Sequence, residues 1–190
     1  KEFNLELSGY IKAILTDQTS NYSSITSFKN TMQSDYNSMV ASVDKYGGFY
    51  VGRYESSVDD SDANNKTVKS TKGATSMYGR TWYELYAREK NFSTNYVQGS
   101  MIWGSQYDAM MNWMTRNNIN VASSTPITGA SRNTARTTGT AESDKLSNVY
   151  DLIGNSREFS LEANRTDHRA SRGGYYSSSY SPSFRSSRNP

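Results

Sequence analysis

Few residues of this sequence could do chemistry, and most of them lie near its C-terminal end. The 190-residue chain has no cysteine and a single histidine, His168, which excludes cysteine nucleophiles, disulfides, cysteine-ligated zinc and a His–His metal pair. Asp167 precedes His168, and a carboxylate can tune an imidazole for acid–base work. Neighbouring strand residues point to opposite faces, however. We therefore predict that Asp167 and His168 contact a ligand rather than form a catalytic dyad.

Residues 164–189 are rich in tyrosine and serine. Tyrosine gives a large contact area for little rotamer entropy and serine gives adaptable hydrogen bonds, which is also the composition of antibody paratopes. The predicted binding residues here are Tyr175, Tyr176, Ser177, Ser178, Ser179 and Tyr180. The three tyrosines are the expected anchors, and the serines, Asp167 and His168 are expected to tune specificity. Composition alone leaves a low-complexity tail as the alternative.

Arginines are interleaved with these residues. They are Arg165, Arg169, Arg172, Arg185 and Arg188. Arginine beside tyrosine could contact phosphate backbones, but Glu158, Glu162 and Asp167 lie nearby, and the whole chain has 21 basic against 18 acidic side chains. We therefore predict solvated or ion-paired arginines and no nucleic-acid partner.

The elements that must position this region begin with a helix. Apolar side chains recur every three or four residues over 25–45, and Gly47 follows at the expected C-terminal stop. Residues 49–55 alternate in the manner of a strand, and residues 56–76 are predicted to form a polar surface loop. Its acidic run, 59–62, could hold calcium, but a solvated loop is favoured.

Two short helices are predicted next, because Thr81 with Glu84 and Ser105 with Asp108 each match the capping-box pattern. Their predicted buried faces are Trp82, Leu85 and Tyr86 in the first and Tyr107, Met110, Met111 and Met114 in the second. Residues 100–103 could form a short strand. Residues 117–143 are too polar to contribute to a core, and a turn at Gly154 and Asn155 precedes a strand over 158–162.

The composition favours a folded α+β domain over disorder. Mean hydropathy is -0.81, yet 13% of the residues are aromatic, and disordered chains are poor in aromatic side chains. No apolar run approaches the roughly twenty residues that a membrane span needs, so no membrane insertion is expected.

Four segments carry a family resemblance. They are residues 46–55 (YGGFYVGRYE), the helix after Ser105, residues 148–159 (NVYDLIGNSREF) and the run Arg172-Gly173-Gly174. In this order they resemble the formylglycine-generating-enzyme-like (sulfatase-modifying-factor) branch of the C-type lectin fold. The likeness runs from about residue 40 to the C-terminus and is poor in both polar stretches. Where that family usually has Trp-Glu-Trp, this chain has Arg157-Glu158-Phe159, a departure expected to change packing rather than chemistry.

The resemblance implies small twisted antiparallel sheets with two short helices, preceded by an N-terminal helix. We accordingly expect a helical lead-in over 1–45 and a C-type-lectin-like ligand-binding domain over 46–190. The family's enzymes carry two copper-binding cysteines at positions that match roughly Ser178 and Ser183 here. Serine is neither a soft copper ligand nor a redox partner. We therefore expect no enzyme activity, no cofactor and no bound metal.

A non-enzymatic subgroup is more similar still: the variable proteins of diversity-generating retroelements, in which asparagine codons are rewritten into codons for many residues. Residues 164–190 look like such a variable region, with Arg172, Gly173, Gly174, Pro182 and Arg185 as its fixed positions. Members of the subgroup continue into a final Gly-x-Arg strand, whereas this sequence stops at residue 190, so either that strand is missing or another element replaces it.

The resemblance implies a receptor-binding or adhesin protein outside the cell, on a bacterial surface or a phage tail. Its partner would be a cell-surface protein or glycan, and assembly into a larger surface or virion structure is compatible with it. The alternatives are a glycan-binding lectin or a virion structural protein of the same fold without diversification.

Overall fold

The computed structural model has a mixed α+β architecture, which confirms the predicted fold class at that level. The structure describes residues 24–58, 68–119, 121, 135–165, 168–176, 178–179 and 186–188, and at 25, 164, 165, 178, 179 and 186–188 the backbone alone. Its helices are α1 (Ile25–Tyr46), α2 (Trp82–Asn91), α3 (Gly104–Arg116) and a 3-10 turn (Glu142–Asp144). None of these is both long and apolar enough to cross a membrane.

The strands are short and antiparallel. They are β1 (Ser57–Val58), β2 (Val68–Lys69), β3 (Lys145–Leu146), β4 (Val149–Tyr150), β5 (Glu158–Arg165), β6 (His168–Arg172), β7 (Gly174–Tyr175), β8 (Ser178–Ser179) and β9 (Ser186–Arg188). The largest sheet has the order β5-β6-β9, and β1-β2, β3-β4 and β7-β8 are two-stranded pairs. Strand β6 is central in its sheet, with Arg172 opposite Glu158 of β5 and Arg169 opposite Arg188 of β9.

Helix α1 confirms the predicted amphipathic helix and its stop. The Ser24 hydroxyl caps its start by accepting a hydrogen bond from the Ser27 backbone at 3.1 Å. Gly47 ends it in the left-handed region at φ 75°, donating its N–H to Val43 at 2.8 Å, as expected of a residue without a Cβ. Phe28 and Met32 are fully buried, so the first half of α1 joins the core.

The two short helices are confirmed, with one correction. Thr81 and Glu84 form the predicted capping box of α2. Helix α3, however, is capped at Trp103, whose N–H donates to the Gln106 side chain at 3.1 Å. The prediction of a cap at Ser105 was wrong. Gln106, and not Asp108, supplies the side-chain acceptor, so the helix begins two residues earlier than predicted and Ser105 lies inside its first turn.

Two apolar clusters form the core, one on α1 and α2 and the other on α3. The first consists of Phe28, Met32, Trp82, Tyr83, Tyr86, Met101, Trp103 and Leu161. The second consists of Tyr107, Met110, Met111, Met114, Val121 and Leu152. The predicted buried faces of α2 and α3 are thus confirmed, although Leu85 is only partly buried. Trp82 and Tyr86 stack with ring centres 5.3 Å apart, an offset geometry that aromatic pairs favour.

The predicted strands at 49–55 and 100–103 were wrong. Both segments are irregular. In the described part of the chain, one hydrogen bond between backbones joins each to a strand: Arg53 accepts the Tyr150 N–H at 2.8 Å, and Ile102 accepts the Leu161 N–H at 2.9 Å. Tyr54 also stacks on Tyr150, with ring centres 5.1 Å apart. The alternating side chains therefore belong to segments that pack against the fold without the hydrogen-bond ladder of a β-strand.

The two polar stretches contribute more to the interior than predicted. Ser57, Val68 and Ser76 are buried within 56–76, and Val121 and Thr138 are buried within 117–143. Polar residues can be buried here because their hydroxyls have partners, such as Ser57 with the Lys69 carbonyl at 3.3 Å. The acidic run at 59–62 lies outside the described residues.

Candidate ligand-binding surface

The hairpin β7-β8 carries two of the predicted anchors. Gly174 pairs with Ser179 and Tyr175 with Ser178. The rings of Tyr175 and Tyr176 meet edge to face, with centres 5.4 Å apart and planes at 81°. The Arg157 guanidinium lies 4.0 Å from the centre of the Tyr175 ring, close enough for cation–π attraction. Both tyrosines are half-buried, so each is held on one side and accessible on the other.

Backbone hydrogen bonds join this hairpin to the turn before β5. Tyr176 donates its N–H to the Asn155 carbonyl at 2.9 Å, and Gly154 donates to the Gly173 carbonyl at 3.1 Å. Gly173 and Gly174 enter the hairpin at φ 78° and 90°, values that residues with a side chain rarely adopt. The path of the hairpin is therefore fixed by main-chain contacts, whatever side chains it displays.

The turn itself is held from below by the carboxylate of Glu55, a partly buried residue. Glu55 accepts hydrogen bonds from the Asn155 side-chain amide at 2.5 Å and from the Ser156 N–H at 2.8 Å. The Asn155 side chain also spans both backbone groups of Arg136, at 2.7 and 3.1 Å. Burial raises the pKa of Glu55 well above its ordinary value, while the contacts to Ser156 and Asn155 oppose that rise.

Arg172 anchors the end of β6 directly before the hairpin. It is 1% exposed and donates to Asp108 of α3 and to Glu162 of β5, both at 3.0 Å. Its guanidinium also lies 4.7 Å from the centre of the Tyr107 ring. The predicted ion-paired arginine is confirmed here, whereas Arg169 is 2% exposed and stacks on Trp82, so the prediction was wrong for Arg169.

Glu158 places a second buried carboxyl group beside the hairpin entry. The residue as a whole is partly exposed, but both carboxyl oxygens are buried, and in the described part of the chain no other residue donates a hydrogen bond to them. Burial, together with the nearby charges of Glu55 and Asp151, raises the pKa of Glu158 well above its ordinary value. A protonated, neutral side chain is what such surroundings favour.

We expect Glu158→Gln to weaken the pH dependence of stability. Folded Glu158 keeps its proton above the ordinary pKa of 4.5, where the unfolded chain has released it. The free energy of unfolding therefore falls as the pH rises through this window. Glutamine carries no charge at any pH, so the variant should lose less stability than the wild type between about pH 5 and about pH 8. Urea unfolding at several pH values measures this.

Glu142→Gln is the control for that measurement. Glu142 is exposed, and its hydrogen bond from Lys145 lowers its pKa, so any stability it contributes is lost as the pH falls rather than rises. The fall in stability toward alkaline pH should persist in this variant. An equal fall in the wild type and Glu158→Gln would contradict the assignment to Glu158.

The structure brings only part of the predicted site together. Tyr175 and Tyr176 lie in the hairpin with the backbone of Ser178 and Ser179. Half-buried His168 is at the opposite end of β6 from the hairpin, about 13 Å along the strand from Arg172, so it is not beside the tyrosine pair. Asp167, Ser177 and Tyr180 lie outside the described residues.

Sequence reasoning missed the residues that support the hairpin. Arg157 and Glu158 carry functional groups into it, but the sequence interpretation treated them only as a change in packing. Glu55 was assigned to a strand, and its role depends on a contact about a hundred positions away. The one local signal was the Gly154-Asn155 turn, which does supply the backbone acceptor for Tyr176.

Within the described residues, no group of three or more histidine, cysteine, aspartate or glutamate side chains could hold a metal ion. Comparison with known proteins adds no relative: no family model, curated protein or solved structure matches this chain.

Proposed function

We propose that this chain is a non-catalytic ligand-binding domain, a receptor-binding or adhesin protein that displays a diversified tyrosine- and serine-rich surface. The proposal includes a C-type-lectin-like fold of the formylglycine-generating-enzyme-like branch and a place outside the cell, on a bacterial surface or phage tail. Its ligand would be a cell-surface protein or glycan.

The observation that carries the proposal is the pair Tyr175 and Tyr176 on a hairpin whose backbone is fixed from beneath. Main-chain bonds from Gly154 and Tyr176 hold this hairpin, and these bonds do not depend on the side chains displayed. Aromatic rings held in place lose little entropy when they bind, so a few of them can supply most of an affinity. A fixed backbone with exchangeable side chains suits diversification.

The contrast between buried and displayed residues also supports the proposal. Arg172 is buried against Tyr107, Asp108 and Glu162, and Gly173 needs a positive φ, so substitutions at both are costly. The half-buried tyrosines that follow could change without disturbing these contacts. Related isolates should therefore differ at positions within 164–189 that derive from asparagine codons, while 172–174 stay constant. A reverse transcriptase gene and a template repeat should lie near the gene, and their absence would remove the retroelement from the proposal.

Binding of the labelled chain to intact bacterial cells and to a glycan array tests the function. We expect the double variant Tyr175→Ala, Tyr176→Ala to lose at least about 30-fold in affinity, which is about 2 kcal/mol, the lower limit for a single hot-spot residue. Tyr50→Ala and Tyr96→Ala are matched controls, because their rings are 98% and 95% exposed and lie outside the hairpin. These controls should bind as the wild type does.

Each outcome has a definite meaning. Binding that survives protease treatment of the cells and depends sharply on one saccharide would identify a lectin, and binding lost on protease treatment would identify a protein receptor. If the double variant keeps its circular dichroism spectrum and binds as tightly as the wild type, the tyrosine pair is not the binding site. Absence of wild-type binding to every cell and glycan tested would count against an adhesin.

A further inference from the structure

Two buried arginines lie on opposite faces of β6, and their surroundings differ. Positions three apart in a strand point to opposite sides, so Arg172 meets Tyr107 of α3 while Arg169 meets Trp82 of α2, 4.2 Å from the ring centre. Arg172 has two carboxylate partners. In the described part of the chain, no carboxylate pairs with Arg169, and its Nε and Nη2 atoms are buried without a hydrogen-bond acceptor.

Two buried hydroxyl groups on this side of β6 also lack an acceptor in the described structure. The Tyr83 and Ser171 hydroxyls are buried, and neither reaches a carbonyl or carboxylate acceptor among the residues described. Ser171 lies two positions after Arg169 in a regular stretch of β6, so both side chains share a face. Burial raises the pKa of Tyr83 to about 12, while the charge of Arg169 and a hydrogen bond between the two side chains oppose that rise, so the phenol lies against the guanidinium and keeps its proton. Apart from this phenol oxygen, Arg169, Tyr83 and Ser171 form a set of donors without an acceptor in the part of the chain that the structure describes.

Such a set is costly unless an anion joins it. A guanidinium keeps its charge inside proteins, and burying that charge without a counter-ion is among the most unfavourable arrangements in a fold. The Trp82 ring compensates only part of this cost. On the other face of the strand, the Glu162 carboxylate neutralises Arg172, which is the kind of partner that Arg169 lacks among the described residues.

We propose that a small monovalent anion of halide size binds on the α2-facing side of β6, held by Arg169 with the Tyr83 and Ser171 hydroxyls as further donors. The small size follows from burial: the exposed fractions are 2% for Arg169, 5% for Tyr83 and 0% for Ser171, so an anion there must fit among side chains that hardly reach solvent. This site is separate from the tyrosine hairpin and does not depend on the proposed binding function.

Thermal unfolding in sodium bromide and in sodium gluconate, at equal ionic strength, tests the site. Bromide can enter the site and gluconate cannot, so the wild-type Tm should be higher in bromide by about 3 °C. Arg169→Met should lose this difference and be at least as stable as the wild type in gluconate, because it removes a buried, uncompensated charge. Arg80→Met is the matched control: Arg80 is an exposed arginine beside the start of α2, and it pairs with Glu84 at 3.9 Å. This variant should keep the difference.

Tyr83→Phe provides an independent variant if Arg169→Met does not fold. It removes one hydroxyl donor and should reduce the bromide effect while leaving the Tm in gluconate unchanged or higher. Crystals grown in bromide should show an anomalous peak within hydrogen-bonding distance of the Arg169 guanidinium. Equal bromide effects in the wild type and Tyr83→Phe, or crystals with no such peak, would overturn the proposal.

Discussion

Gly173→Ala is expected to lower the free energy of unfolding by about 2–5 kcal/mol. Two costs combine at this position. Gly173 has φ 78°, where a side chain costs about 1–2 kcal/mol. A Cβ there would also overlap the Glu158 carboxyl and lie 2.7 Å from the Leu152 carbonyl oxygen, and backbone cannot move aside as a flexible side chain can. Urea unfolding followed by circular dichroism measures the loss.

Gly47→Ala separates these two costs. Gly47 has nearly the same φ, 75°, but an added Cβ would meet nothing within 4 Å. Its substitution should therefore cost only the conformational part, about 1–2 kcal/mol. Glu158→Ala in the Gly173→Ala chain removes one of the two steric contacts and should recover part of the loss. If Gly173→Ala cost no more than Gly47→Ala, the tight packing at the hairpin entry would be disproved.

The sequence predicted the helices well because local rules determine them. The α1 stop at Gly47 and the Thr81 capping box of α2 each depend on residues within one turn. Even the error at α3 was local: Gln106 rather than Asp108 supplies the cap acceptor, since glutamine three residues after the cap serves as well as an acid.

Contacts between distant residues escaped prediction. Residues 49–55 have the alternation of a strand, yet no strand of the described structure pairs with them. The Tyr150 N–H bonds to the Arg53 carbonyl instead, and the hydroxyls of Ser70 and Thr138 accept the N–H groups of Tyr54 and Glu55. Likewise, Glu55 reaches Asn155 and Ser156 about a hundred positions later. The sequence pattern of a segment indicates that it could pair as a strand, whereas long-range packing determines whether a partner strand is present.

At the candidate surface, too, local features could be predicted and long-range contacts could not. Composition pointed to Tyr175 and Tyr176 as residues suited to binding, with a low-complexity tail as the alternative. It could not identify Arg157 as the cation on the Tyr175 ring, since arginine is as common on a plain solvated surface. It also placed His168 with the tyrosines because they are close in sequence, whereas an extended strand carries them apart.

Arg172→Met is expected to destabilise the protein by about 3 kcal/mol. Methionine keeps much of the volume against Tyr107 but removes the cation beside Glu162, whose side chain is only 6% exposed. Asp108 is 43% exposed, so water can replace the arginine there. The loss should therefore come mainly from Glu162, and Glu162→Gln in the Arg172→Met chain should restore part of the stability because it removes the charge left behind.

Urea unfolding of the four chains in this double-mutant cycle measures the coupling between Arg172 and Glu162. Arg80→Met tests a surface arginine, whose pair with Glu84 is solvent-exposed, and should change stability by no more than about 0.5 kcal/mol. Additive losses from Arg172→Met and Glu162→Gln would show that the two side chains act independently. Gly173 and the hairpin follow Arg172 directly, so a strong coupling would place a stable ion pair at the start of the segment that displays the tyrosines.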